Sequence, residues 1–204
     1  MEFDFADDAR SILDERFAAR EKGFSGSRQV TRDSANAIRA LHRNEGDEAS
    51  RLIQQAGALL DEITETLSGH PDVLHAGFVW AAAKEYADAR ITEALFKQEP
   101  VPGFSELGID PVPYLNGLGE AVGEMRRRML DLLRDGDVAT AEKALEAMDE
   151  IVDLLASMDY PDGMTSGLRR TTDVARSLVE RSRSDLTATV VQERLRQDLA
   201  RRPS

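Results

Sequence analysis

A chain of 204 residues that is 41% hydrophobic is long and apolar enough for one sizeable core, and with no cysteine it excludes disulfides, thiolate catalysis and cysteine-ligated zinc. Its 38 acidic against 26 basic residues give a net charge of −12, which opposes a polyanion over the whole surface but leaves room for a local basic face. The acidic start MEFDFADDAR lacks the features of a signal peptide and no run reaches the roughly 18 apolar residues of a membrane span, so a cytoplasmic protein without membrane attachment is expected. The only lysines are Lys22, Lys84, Lys97 and Lys143, the rest of the basic residues being arginines. An acidic, lysine-poor surface fits a halophilic protein adapted to molar salt, where screening falls to about 3 Å; an ordinary acidic cytosolic protein is the alternative.

Phe5, Ala9, Ile12, Leu13, Phe17 and Ala18 or Ala19 recur at helical spacing and predict a first helix from about Asp4 to Lys22, with these residues as its buried stripe. Gly23 to Ser27, reading GFSGS, is a break. A second helix is expected from about Ser27 to Arg43, where Arg28, Arg32, Arg39 and Arg43 fall on one face and His42 stands beside them. Arginines at this period can hold phosphates without reading bases; the alternative is pairing with acidic side chains nearby. After a turn at Asn44 to Asp47, Ala49, Leu52, Ile53, Ala56, Leu59, Leu60, Ile63 and Leu67 mark a strongly amphipathic helix. Ser68 to Asp72 ends it, with Asp72 placed to cap a fourth helix from about Val73 to Lys97. That helix carries Glu85 and Asp88, three apart and so on one face. Glu99 to Gly103 is a loop.

The next helix, Pro113 to Arg128, keeps a helical apolar period despite Gly117, Gly119 and Gly123, each costing about 1 kcal/mol relative to alanine. Such glycines indicate a close approach by another backbone. On its polar face Glu120 and Glu124 stand one turn apart, a like-charge pair that a cation would relieve. Two carboxylate pairs on successive helices form an all-oxygen set suited to Mg²⁺ or Mn²⁺, the alternative being a solvated acidic face. Asp137 follows as a helix N-cap, and Val138, Ala141, Leu145, Met148, Val152 and Leu155 line the helix behind it. A turn at Tyr160 to Met164 precedes the last helical segment, from about Ser166 towards Ala200, with about 192–204 expected to fray. No strand signal appears. The expected architecture is an all-α, single-domain bundle of about seven helices over 1–204. Walker, HExxH, GxSxG and strand-associated GxGxxG motifs are absent.

The segments VTRDSANAIRALHR (Val30 to Arg43), Glu85-Tyr86-Ala87-Asp88, FSELGIDPVPYLNGLGEAVGEMRR (Phe104 to Arg127) and Asp135-Gly136-Asp137 together resemble the translin and translin-associated factor X (TRAX) family of helical nucleic-acid-binding proteins. The likeness covers most of the chain and lies closer to the acidic, catalytic TRAX-like branch. Two positions depart from that branch: Asp88 stands where the family has Glu, and Glu120 where it has Asp. The resemblance implies a translin-like fold, binding of single-stranded RNA or DNA, and a Mg²⁺-dependent endoribonuclease with Glu85, Asp88, Glu120 and Glu124 as metal ligands and catalytic carboxylates. It also implies a closed homo-oligomeric shell such as an octamer, and a translin-type subunit as a possible partner. Arg28, Arg32, Arg39, His42 and Arg43 are the candidate nucleic-acid contacts. Two other readings stay open: a non-catalytic translin-like binder of RNA or single-stranded DNA, and a helical scaffold without nucleic acid.

Overall fold

In the computed structural model, which describes residues 5–201, the glycines expected to break the first helix lie inside it. Helix α1 runs without interruption over Ala6–His42, 37 residues or about 55 Å. Asp4, the expected start of that helix, and Arg202 to Ser204 lie outside the described residues. The glycines serve packing: a Cβ at Gly23 would sit 2.8 Å from Leu67 Cδ1, and one at Gly26 would sit 2.7 Å from Ile63 Cδ1. Both partners belong to α2 (Gly46–Leu67), which lies antiparallel against α1 and is only 22 residues long. Gly23 meets Leu67, the last residue of α2, so the part of α1 before it overshoots its partner. This overhang corrects the expected buried stripe. Phe5, Ile12, Leu13 and Phe17 are all more than half exposed, and of that stripe only Ala19 packs on the core.

Eight helices and no strand are present among the described residues. After α2 come the single turn α3 (Pro71–Leu74), then α4 (Gly77–Lys97) and α5 (Pro111–Arg134). They are followed by α6 (Val138–Ala156), the single turn α7 (Asp162–Thr165) and α8 (Leu168–Ala200). The count differs from seven because the first two expected helices are one and two short turns are added. Asp72 lies within α3 and makes no cap; its carboxylate is 3.8 Å from Arg16 instead. Asp137 does cap α6, accepting from Thr140 N at 3.0 Å, and Asp110 caps α5 in the same way through Val112 N at 2.8 Å, with Pro111 at the first helical position.

The chain forms two compact units. One takes the chain up to Arg90 together with Gly103–Tyr114; the other takes Ile91–Pro102 and everything from Leu115 onward. In the first unit, Val30 of α1, Ala56, Leu60, Ile63 and Leu67 of α2, and Val79, Ala82 and Ala83 of α4 form one apolar cluster. Ala37, Ile38, Leu52, Ile53 and Ala89 form a second. The core of the second unit is built from Leu118, Val122, Met125 and Met129 of α5, Leu145, Met148, Val152 and Leu155 of α6, and Leu168, Ala175, Val179 and Leu186 of α8. Of the periodic apolar positions expected for α2 and α6, all are buried except Leu59 and Val138, which are half-buried; Gly57, Ala144 and Ile151 are buried with them. Among the described residues no helix is long and apolar enough to cross a membrane.

Candidate nucleic-acid interface and carboxylate pairs

The arginine stripe occupies the solvent face of α1 in the first unit, because Val30, Ala37, Ile38 and Leu41 turn the opposite face into the core. All four arginines are exposed, but they are not equivalent. Arg43 is bound by Glu45 through two hydrogen bonds of 2.9 and 2.6 Å, which raise its own pKa and hold the Glu45 carboxyl below the usual range. That carboxylate already neutralises it. Arg39 donates to the side-chain oxygen of Asn36. Arg28 and Arg32, one turn apart, have no carboxylate partner among the described residues. Arg28 instead lies over the Phe24 ring, 5.9 Å from its centroid, with Arg20 at 5.6 Å from the same centroid. His42 is half-buried beside them. The strongest anion-attracting part of the stripe is therefore its first half.

Glu85 and Asp88 share one face of α4 in the same unit. Glu85 is half-buried with Lys84 Nζ at 3.2 Å, and Asp88 is only 6% exposed. Between them in sequence, Tyr86 fixes this part of α4 to α2. Its ring lies across Gly57, where a Cβ would come 2.7 Å from the phenolic oxygen, and it packs on both apolar clusters of the unit. Tyr86 is thus the anchor that sets the rotation of the carboxylate-bearing turn, and Gly57 makes room for it.

Glu120 and Glu124 lie on α5 in the second unit, one turn apart, the first exposed and the second half-buried. The opposite face of this stretch is tightly held. A Cβ at Gly119 would overlap Thr171 Cγ2 of α8 and lie 3.2 Å from Leu155 Cδ1 of α6, so the close approach is made by side chains, not by the backbone the glycines led us to expect. One turn earlier, buried Asn116 donates to the Thr165 carbonyl at 3.0 Å and accepts from the Thr171 hydroxyl at 2.9 Å, joining α5 to α7 and α8. Two turns later Arg126 donates to Ser182 and Asp185 of α8, both at 2.8 Å. These bonds and the Gly119 contact fix the helix that presents the two glutamates. Within neither unit do three or more described His, Asp or Glu side chains come together as a metal-holding group.

No family model matches the chain. The solved structure of AfC3PO in complex with duplex RNA is 32% identical, covers 91% of this chain and 96% of its own, and superposes with a TM-score of 0.85. A second structure, the crystal structure of AfC3PO, aligns with the same identity and score, over 97% of its own chain. The chain belongs to the C3PO/translin family. Apo-NeC3PO shares the fold, with a TM-score of 0.84 at 19% identity over 93% of this chain and 99% of its own. An uncharacterised protein of Methanocaldococcus jannaschii is 26% identical over 193 residues, 94% of this chain and 85% of that protein.

In this C3PO/translin-family chain the charged candidates lie on helices as expected, but the buried groups packed near them were not foreseen. Gly57 under Tyr86, Asn116 with Thr165 and Thr171, and Ser27 beneath the arginines carry no motif. A glycine inside a helical apolar period opposite a large aromatic was the available signal for the first. For Asn116 it was a polar residue at a core position of the helical period, which a native core accepts only when its hydrogen bonds are made.

Proposed function

We propose that the chain binds RNA through the Arg28–Arg32 part of α1 and cleaves the bound strand with the aid of a divalent cation. The observation that carries the binding half is the pair of exposed guanidiniums with no carboxylate partner, one turn apart, in a chain of net charge −12. In so acidic a protein a free basic pair is the place where a phosphate backbone can be neutralised without cost to a native ion pair. The AfC3PO complex supports RNA as the ligand, and since that RNA is a duplex, single and double strands both belong in the test. The exposed Ile12, Leu13 and Phe17 of the α1 overhang leave apolar surface for self-association, in keeping with a closed homo-oligomer; a monomer by light scattering would contradict that part.

The donor chemistry fits a hard cation. Mg²⁺ commonly takes one or two carboxylates and completes its shell with water and substrate phosphate oxygens, so a helix-borne pair is enough to hold it. Glu85 and Asp88 on α4 and Glu120 and Glu124 on α5 are the residues that would do so. A cation bound there would supply positive charge against the phosphodiester oxygens. The residues' own part is to orient the strand, through Arg28 and Arg32, and to accept a proton from the attacking hydroxyl or water, for which the half-buried Glu124 is the candidate base. The binding half is tested by the salt dependence of RNA affinity. For a single strand each phosphate contact contributes about 0.7 to the slope of log K against log salt. Arg28→Ala/Arg32→Ala should lower that slope by about 1.4, while Arg43→Ala, already neutralised by Glu45, should change it less. Slopes equal in wild type and double variant would contradict the assignment.

A further inference from the structure

Beneath Arg28 and Arg32 the first unit contains a recess of about 380 Å³, lined by Ser27, Arg28, Thr31 and Arg32 of α1 and by Phe78 and Ala81 of α4. No carboxylate lines it. Its most telling member is Ser27, a residue only 2% exposed whose hydroxyl has no hydrogen-bond partner. Elsewhere in this protein a helical hydroxyl turns back to the carbonyl four residues earlier: Thr64 to Leu60 at 2.9 Å, Thr172 to Leu168 at 2.9 Å, Ser182 to Leu178 at 2.8 Å. Ser27 does not. A buried hydroxyl left without a partner is unfavourable unless something else supplies one. Ser34, two turns on, is likewise unpartnered, but the recess ends at Arg32.

The rest of the recess has matching chemistry. Arg28 is held over Phe24, which meets Phe78 edge to face at 5.5 Å between centroids, so an aromatic pair, not an acidic side chain, positions the guanidinium. Phe78 and Ala81 supply an apolar wall. A recess with two guanidiniums, a buried hydroxyl donor and no carboxylate is built for a compact anion entering end-on. An internal phosphodiester has chain leaving on both sides, which hinders its entry into a recess of this size. A phosphate monoester has chain on one side only, and it carries close to two negative charges against the two arginines.

Building on the RNA-binding reading above, we propose that this recess is a subsite for the terminal phosphate of a nucleic-acid strand, with Ser27 and Thr31 donating to its oxygens between Arg28 and Arg32. The test uses one fluorescent RNA sequence of about ten nucleotides, a length within the usual site size of single-strand binders, prepared with a 5′-phosphate, with a 3′-phosphate and with hydroxyl ends. Affinities are measured by anisotropy for the wild type, Ser27→Ala and Arg28→Ala/Arg32→Ala. A phosphorylated end should bind about tenfold tighter than the hydroxyl-ended strand, the scale of an added charge-assisted hydrogen bond, and the preferred end identifies the source. Ser27→Ala should reduce that preference several-fold, leave the affinity for the hydroxyl-ended strand unchanged, and leave Tm unchanged or raised. The double arginine variant should abolish the preference and weaken all strands. Equal wild-type affinity for all ends would overturn the subsite while leaving RNA binding intact. So would a preference undiminished in Ser27→Ala. Failure to bind any strand would overturn both.

Discussion

Gly119→Ala adds one methyl group in the middle of α5, and its effect depends on what that methyl meets. On an open helix face the change would stabilise by about 1 kcal/mol. Here the new Cβ would overlap Thr171 Cγ2 and sit 3.2 Å from Leu155 Cδ1, the first half-buried and the second in the core of the second unit. Overpacking of this kind costs about 1–3 kcal/mol. The two effects sum to a net loss of about 1 kcal/mol, or about 2–4 °C in Tm for a chain of this size. Thr171→Ser isolates the cause, because it removes Cγ2 and keeps the hydroxyl that donates to Asn116 at 2.9 Å. In that background Gly119→Ala should turn from a loss into a gain of up to about 1 kcal/mol. Urea unfolding of the four proteins, followed by circular dichroism at one fixed protein concentration, completes the cycle and should give a coupling of about 1–3 kcal/mol. An equal effect of Gly119→Ala in both backgrounds would refute the claim that Thr171 is what keeps residue 119 a glycine.

Asn116→Ala removes the partner of the Thr165 carbonyl and of the Thr171 hydroxyl inside the second unit, and should cost about 1–3 kcal/mol by the same unfolding assay; a negligible loss would mean that this junction of α5 with α7 and α8 carries little. Tyr114 is 9% exposed, and burial first, then the charge of Glu106, raise its phenol above the ordinary value. Because the folded pKa is the higher one, the stabilisation is complete below the unfolded value of about 10 and is lost as pH rises through the folded value. Tyr114→Phe should flatten that alkaline part of the stability profile, and an unchanged alkaline profile would contradict the assignment.

What could be read from the chain beforehand was whatever rests on local periodicity. The apolar positions of α2 and α6 and the Asp137 cap follow from spacing and side-chain chemistry within one element, and they stand as expected apart from the half-buried Leu59 and Val138. What was misread depends on a second element. Gly23 and Gly26 look like a helix break until Leu67 and Ile63 of α2 are seen to occupy the space a side chain would fill. The stripe from Phe5 to Phe17 has a core-like period, but a 37-residue helix against a 22-residue partner leaves it uncovered. Arg43 looks like Arg28 in sequence, and only the turn that brings Glu45 back onto it separates their roles. Ser27 has no sequence signal at all, since its meaning lies in a hydrogen bond that is not made.

The most direct test of the proposed function is a single experiment on labelled RNA, single-stranded and duplex, incubated with the wild type and with Glu124→Ala in Mg²⁺, in Mn²⁺ and in chelator, at low and at molar salt. Binding and cleavage are read from the same samples. The proposal predicts cleavage by the wild type only, dependent on the cation, with RNA affinity retained in Glu124→Ala. Binding without cleavage in every condition would contradict the nuclease half and leave an RNA-binding protein, and cleavage that survives Glu124→Ala or the chelator would remove the carboxylates from the mechanism.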